Sequence, residues 1–202
     1  MFFAPLLIAG SAAPSIPRTS PLTCGIKGID RPETPRIVGG RDALPGEWCW
    51  QVALVNAQNQ YLCGGALIGT QWVLTAAHCI TNMVRNSEEI FIRVGDYDLQ
   101  NPKASPHAQS VKVSTTYIHH NHNGQTLDND IALLRMETPV EANDSVCLVC
   151  LPTRGSTRKP GKLCHVSGYG YTSEGKTVLQ IYLFVHLMTA IVYFLPQSVP
   201  CL

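Results

Sequence analysis

One histidine and one aspartate stand next to short apolar segments and could act together as an acid–base pair. His78 closes the run Trp72–Ala77 and is followed by Cys79, and Asp130 directly precedes the run Ile131–Leu134. A buried carboxylate can fix the tautomer of an imidazole and stabilise its charged form, and the imidazole can then take a proton from a hydroxyl nucleophile. Both residues fall at the ends of predicted strands, as expected for side chains that converge across a barrel.

The elements that would position this pair are short runs of β-branched and apolar residues between turn signals. They are Trp50–Val55, Tyr61–Ile68, Trp72–Ala76, Ile90–Val94, Val111–Ile118 and Ile131–Met136. Six short strands at this spacing predict an all-β protein with an antiparallel barrel or sandwich. Gly39-Gly40 and Gly64-Gly65 indicate places where the backbone bends sharply or approaches a neighbour closely. We find no internal repeat and no long amphipathic helix.

Three motifs in fixed order resemble the trypsin-like (chymotrypsin-family, S1) serine peptidases. They are Arg36-Ile37-Val38-Gly39-Gly40, Ala76-Ala77-His78-Cys79 and Asp128-Asn129-Asp130-Ile131-Ala132. A single histidine before a cysteine is usually structural and a single aspartate before a strand is usually a turn residue, but their joint occurrence supports the resemblance. The resemblance implies a double β-barrel, a general base at His78, an orienting acid at Asp130, polypeptide substrates and no cofactor.

The nucleophile of that family is not found in this sequence. No Gly-Asp-Ser-Gly-Gly-Pro motif follows Asp130, and the resemblance covers roughly Cys24 to Gln180. It therefore implies a complete six-stranded first barrel, an incomplete second barrel, and no oxyanion hole or S1 pocket. We predict that the chain as written is inactive as a peptidase, although the retained His78 and Asp130 favour descent from an active enzyme. The alternative is a non-catalytic homolog that acts as an extracellular binding module or a cofactor of a protease cascade.

Five segments are predicted along the chain. They are a signal peptide (1–13), a Pro-, Ser- and Thr-rich propeptide or linker (14–36), the first barrel (37–149), the start of the second barrel (150–180) and an unrelated apolar tail (181–202). The first segment has an apolar core and small residues for cleavage, but no basic residue precedes that core. In the tail region, Gln180 and His186 interrupt the apolar run and no basic cluster follows it. This pattern favours unrelated sequence beyond an exon boundary over a membrane anchor.

Eight cysteines without the paired short spacings of a zinc site favour disulfides and an oxidising compartment, and thus secretion. The resemblance implies the bridges Cys63–Cys79 and Cys24–Cys150, and an activation cleavage between Arg36 and Ile37. We hypothesise that the two additional cysteines, Cys49 and Cys147, pair with each other. Cys164 is either free or joined to Cys201. The extra cysteines and the Arg36–Ile37 bond resemble the clip-domain proteases and homologs of arthropods, although residues 1–35 contain only one cysteine.

Other classes of function have little support. A net charge of +1 with 14% charged residues gives no electrostatic footprint for nucleic acid. His119, His120 and His122 are interpreted as part of a solvated loop rather than a metal site, and Asp96 and Asp98 as a plain turn rather than a calcium loop. Asn143-Asp144-Ser145 is a predicted acceptor for N-glycosylation.

Overall fold

The computed structural model describes residues 23–28, 41–156, 164–169 and 180–184. The predicted signal peptide, the Arg36–Ile37 bond, Cys201 and the tail beyond residue 184 lie outside the described residues. No helix in the described part of the chain is both long enough and apolar enough to cross a bilayer.

The described residues form nine strands and one α-helix. In chain order they are β1 (Arg41–Asp42), β2 (Gln51–Asn56), β3 (Tyr61–Gly69), β4 (Trp72–Thr75), α1 (Ala77–Arg85), β5 (Ile90–Val94), β6 (Gln109–Ile118), β7 (Ala132–Met136), β8 (Cys164–Gly168) and β9 (Gln180–Phe184). Strands β2 to β7 correspond one to one to the six predicted strands. Their ends lie within two residues of the predictions.

These six strands close into an antiparallel barrel in the order β2-β3-β4-β7-β6-β5. Alternate side chains point into it: in β7, Ala132, Leu134 and Met136 are buried, whereas Arg135 is exposed. Closure pairs every strand on both sides, so the barrel has no free edge. The prediction of a six-stranded all-β barrel is confirmed. Its interior is filled by Val52, Leu54, Leu67, Val73, Ile80, Ile92, Val94, Leu134 and Met136.

Gly65 shows why the barrel needs a glycine in β3. A Cβ at this position would stand 2.9 Å from the carbonyl oxygen of Leu74 and 3.0 Å from side-chain atoms of Val52 and Val73. These contacts are too close for any side chain, so the neighbouring strands can reach their observed separation only at a glycine. The predicted close approach at Gly64-Gly65 is therefore present.

A second, three-stranded sheet has the order β1-β9-β8. Two of its strands follow the barrel in the chain, and the predicted boundary between residues 180 and 181 falls inside β9. Two hydrogen bonds link the sheet and the segment after it to the barrel: the Ser167 hydroxyl donates to Gln51 Oε1 (2.8 Å), and the Tyr169 hydroxyl donates to the carbonyl oxygen of Asp96 (2.7 Å).

Three disulfides join the pairs expected from the sequence. Cys24–Cys150 ties the segment 23–28 to the residues that follow the barrel, Cys49–Cys147 crosses a separation of 98 residues, and Cys63–Cys79 joins β3 to α1. The side chain of Cys164 and the whole of Cys201 lie outside what is described, so their pairing stays an open prediction.

The interpretation of Asp96 as a plain turn residue is wrong. Its carboxylate has no exposed surface and accepts two hydrogen bonds from Arg93, at 2.7 Å from Nε and 3.0 Å from Nη2. Burial raises the pKa of the Asp96 carboxyl, while the Arg93 guanidinium acts in the opposite direction. The sequence pattern missed this because the segment that covers Asp96 is distant in the chain: the Tyr169 hydroxyl, 73 residues away, donates to the Asp96 carbonyl oxygen.

Candidate functional site

His78 lies in the first turn of helix α1, not at the end of a strand as predicted. β4 ends at Thr75, and the chain enters the helix at Ala77. The helix forms because Ala77, Ile80 and Met83 recur at three-residue spacing and bury one face against the barrel interior. The disulfide Cys63–Cys79 fixes the same turn to β3. His78 is thus carried on a short helix that is fixed by packing and by a covalent bond.

Asp130 reaches this turn from the strand beside β4. Residue Thr75 pairs with Ala132 at the start of β7, which brings the end of β4 and the beginning of β7 together. Asp130 Oδ1 accepts the backbone N–H of His78 at 2.7 Å, and Oδ2 lies 2.5 Å from His78 Nδ1. The register of two strands therefore joins residues that are 52 positions apart.

The Asp130 carboxylate also serves helix α1. The residue at the N-cap, Ala76, has no side chain that could bind a free N–H of the first turn. Asp130 supplies the missing acceptor, and its negative charge lies at the positive end of the helix dipole. Asp130 consequently has a role in folding as well as a contact with the imidazole.

The geometry determines what the imidazole can do. Because a carboxylate can only accept, the hydrogen between His78 Nδ1 and Asp130 belongs to Nδ1, and Nε2 carries the lone pair. The Asp130 side chain has no exposed surface, whereas that of His78 is 47% exposed. Nε2 is 3.5 Å from Cys79 Sγ. The pair can therefore accept a proton at Nε2 and stabilise the resulting cation, which is the chemistry of a general base.

The loop before Asp130 adopts a strained conformation. Leu127 and Asn129 have φ values of 58° and 53°, in the left-handed region that residues other than glycine rarely occupy. Asn129 Nδ2 donates to the carbonyl oxygen of Asn121 at 3.0 Å and closes the loop on itself. The strain and this closure fix the direction in which the chain enters Asp130.

His122 is the residue that the sequence pattern missed. It was interpreted as part of a solvated loop, but its side chain is only 6% exposed and its Nδ1 lies 3.9 Å from Asp130 Oδ1. Its neighbours His119 and His120 stack on each other, with ring centroids 4.8 Å apart. The loop that contains His122 connects β6 to β7, and the pairing of these strands places the loop beside Asp130. The burial of His122 could have been predicted only from that pairing.

The only cluster of metal-type ligands among the described residues is Cys63, His78 and Cys79. Two of its members form a disulfide, and disulfide sulfurs are not the thiolates that bind metals. Among the described residues, therefore, no three side chains with free metal-ligating atoms form such a cluster. His119, His120 and His122 are not part of the cluster.

The remaining predicted site residues fall into two groups. Arg36 and Ile37 lie outside the described residues. Asn143 is exposed in a tight turn, where its Oδ1 accepts the backbone N–H of Ser145 at 2.8 Å and leaves the amide nitrogen free of that bond.

Comparisons with known proteins agree with this geometry. The family model described as Trypsin matches residues 37–190, past Gln180, where the resemblance had been expected to stop. The chain is 66% identical over 139 residues to "Protein masquerade" from Drosophila melanogaster, covering 69% of this chain and 13% of that protein. It is 36% identical over 143 residues to "Vitamin K-dependent protein C" from Rattus norvegicus, covering 69% of this chain and 30% of that protein. The chain thus spans less than a third of either relative.

Proposed function

The chain belongs to the trypsin family of serine peptidases, and from that premise we propose that His78 and Asp130 form the general-base half of a site that acts on polypeptides. In this role His78 Nε2 takes the proton of a serine hydroxyl as the hydroxyl attacks a peptide carbonyl. Asp130 holds the imidazole in the required tautomer. The observation that carries this proposal is the pair of contacts from Asp130 to the backbone and the ring of His78.

We further propose that residues 1–202 by themselves do not hydrolyse peptide bonds. They contain no Gly-Asp-Ser-Gly-Gly-Pro motif, which in the resembled family supplies the nucleophile and part of the oxyanion hole. An imidazole base without a positioned hydroxyl and without oxyanion donors lacks the largest contributions to acyl transfer. Proteolysis then requires a segment that carries a nucleophile, in the same polypeptide or in another.

A second candidate function is that of a non-catalytic binding module or cofactor in an extracellular cascade. It is favoured by the second role of Asp130, since the carboxylate caps helix α1 whether or not catalysis occurs. Retention of Asp130 is therefore weaker support for an active ancestor than the sequence suggests. The side chain of His78 is the better discriminator, because it is half exposed and the fold needs it less.

The tautomer of His78 tests the general-base proposal. We expect ¹⁵N NMR of the folded chain to show the proton on Nδ1, and Asp130→Asn to move it to Nε2. The asparagine oxygen can still cap the helix, but its NH2 group would then face Nδ1 and occupy that lone pair. The matched control is Asp128→Asn, which removes the same charge two residues away from an exposed side chain.

Two results would contradict the proposal. The first is an Nε2–H tautomer in the unmodified chain, which would place the basic lone pair on Nδ1, against Asp130, and leave Nε2 unable to receive a proton. The second is cleavage of a peptide substrate by the purified 202-residue chain, which would contradict the proposed lack of activity. If the tautomer is as expected and no cleavage occurs, both parts of the proposal stand.

We also propose that the chain is secreted and carries a glycan on Asn143. Support comes from the three disulfides, which persist in oxidising compartments, and from the exposure of the Asn143 side chain. Expression in a secreting insect cell line should give a product in the medium whose mass falls on treatment with an N-glycosidase. If the secreted Asn143→Gln variant and the secreted unmodified chain differ in mass only by the substitution itself, Asn143 carries no glycan.

A further inference from the structure

His122 is a buried histidine whose contacts indicate which ring nitrogen carries a hydrogen. Its Nδ1 lies 3.2 Å from the carbonyl oxygen of Asp128, and its Nε2 has no hydrogen-bond partner among the described residues. A carbonyl oxygen accepts only, so a hydrogen on Nδ1 turns this contact into a hydrogen bond. A second hydrogen on Nε2 would be a buried donor without an acceptor, which is unfavourable. The geometry therefore places a hydrogen on Nδ1.

The same nitrogen also lies near the Asp130 carboxylate. His122 Nδ1 is 3.9 Å from Asp130 Oδ1, too far for a hydrogen bond but close enough for the positive end of the N–H dipole to attract the charge. The Asp130 side chain has no exposed surface, so this attraction is weakly screened. Oδ1 thus has the His78 backbone nitrogen at 2.7 Å and His122 Nδ1 at 3.9 Å.

This arrangement controls the direction of the other carboxylate oxygen. With Oδ1 bonded to the His78 backbone N–H and close to His122 Nδ1, rotation of the carboxylate is restricted, and Oδ2 lies 2.5 Å from His78 Nδ1. The ring of His122 also occupies space beside the carboxylate that water could otherwise enter. The closed loop, with Asn129 bonded to the Asn121 carbonyl, keeps that ring in place.

We propose that His122 is a positioning residue for the His78–Asp130 pair, acting through its Nδ1–H on Asp130 Oδ1. The inference rests on the proposed function of that pair, because it assigns His122 to the same site. It concerns the orientation of Asp130 and does not make His122 an acid or a base in the reaction.

Four variants separate the donor from the shape of the ring. His122→Asn keeps an N–H close to the position of Nδ1, His122→Gln places its amide near the position of Nε2, and His122→Leu has no donor. His120→Leu is the control, since it changes an exposed histidine of the same loop. The measurements are the ratio of Nδ1–H to Nε2–H tautomers of His78 by ¹⁵N NMR, and unfolding in urea.

We expect His122→Leu and His122→Gln to lower that ratio by about threefold to tenfold, the effect of losing one modest hydrogen-bond-type interaction. His122→Asn should stay within about twofold of the unmodified chain, and His120→Leu should not change the ratio. A purely structural role would lower stability in urea without this order among the variants. If His122→Leu does not fold, the comparison of His122→Asn with His122→Gln still decides the question.

The inference is overturned if the asparagine and glutamine variants give the same ratio, or if the leucine variant leaves the ratio unchanged. Failure of the general-base proposal has a different signature, because it would appear as an Nε2–H tautomer of His78 in the unmodified chain. The two failures can therefore be told apart in one set of spectra.

Discussion

Two of the buried carboxylates, those of Asp96 and Asp130, are held in contrasting ways. Asp96 and Asp130 have no exposed side-chain surface, and each binds one basic side chain through short contacts. The partner of Asp96 is Arg93, which is 10% exposed and permanently charged, whereas the partner of Asp130 is His78, which is 47% exposed and titratable. Burial of the carboxylate is thus common to both sites, whereas the exposure and chemistry of the basic partner differ.

This contrast separates a structural ion pair from a site that can exchange protons. At Asp96, both carboxylate oxygens bind Arg93, and the Tyr169 hydroxyl donates to the backbone carbonyl of the same residue. At Asp130, the imidazole turns one nitrogen toward the carboxylate and the other toward the outside. An exposed partner with a nitrogen that can accept a proton is thus what distinguishes the candidate site from the structural pair.

The largest effect is expected from breaking the Arg93–Asp96 pair. Arg93→Met should lower the free energy of unfolding by about 3–5 kcal/mol, because it leaves a buried carboxylate without its counter-ion. Urea unfolding measures this loss. The double variant Arg93→Met with Asp96→Asn should be more stable than the single variant, and a double variant of equal or lower stability would contradict the importance of the unpaired charge.

The next effect is expected at the His78 end of the barrel. Replacing Cys63 and Cys79 by alanine should lower the free energy of unfolding by about 3 kcal/mol, since the disulfide closes a loop of 16 residues. In this variant both tautomers of His78 should be populated, because helix α1 is no longer covalently linked to β3. Urea unfolding and ¹⁵N NMR measure the two effects.

The control for that variant is the replacement of Cys49 and Cys147 by alanine. This disulfide closes a longer loop of 98 residues, so the loss of stability should be at least as large. It should leave the tautomer of His78 unchanged. Equal changes in tautomer for the two double variants would show that the His78 site depends on global stability alone.

The smallest effect near neutral pH is expected from Tyr169→Phe, which removes one hydrogen bond and should cost about 1 kcal/mol. Burial raises the pKa of the Tyr169 hydroxyl, and the Asp96 charge raises it further. In the unfolded chain the hydroxyl ionises near pH 10, so above that pH the unfolded state binds fewer protons and the folded state loses stability. The slope is about 1.4 kcal/mol per pH unit for one proton.

Urea unfolding between pH 9 and about 11 tests this slope against the phenylalanine variant. Tyr61, Tyr97 and Lys112 also have raised pKa values, and their contributions remain in both proteins. The difference between the two curves therefore isolates Tyr169. Parallel curves would show that the Tyr169 hydroxyl does not stay neutral at the Asp96 end of the barrel.

Short-range patterns in the sequence predicted most of the barrel. β5 was predicted to the residue and β3 to within one residue, because alternating apolar side chains bounded by turn residues identify half-buried strands directly. Helix α1 was not predicted. It has only nine residues and no capping side chain at Ala76, so its local signal is weak, and it depends on Asp130 and the disulfide for its first turn.

The sequence by itself determined the strand positions and the identity of His78 and Asp130 as a candidate pair. It also yielded the two disulfides implied by the resemblance and the hypothesised Cys49–Cys147 pair. The tertiary structure decided which polar groups are buried together. It shows Asp96 in a buried ion pair with Arg93, and it shows that the loop containing His122 packs this side chain next to Asp130. The physical reason is that apolar periodicity is a property of neighbouring residues, whereas the environment of a buried charge is set by strand register across the whole barrel.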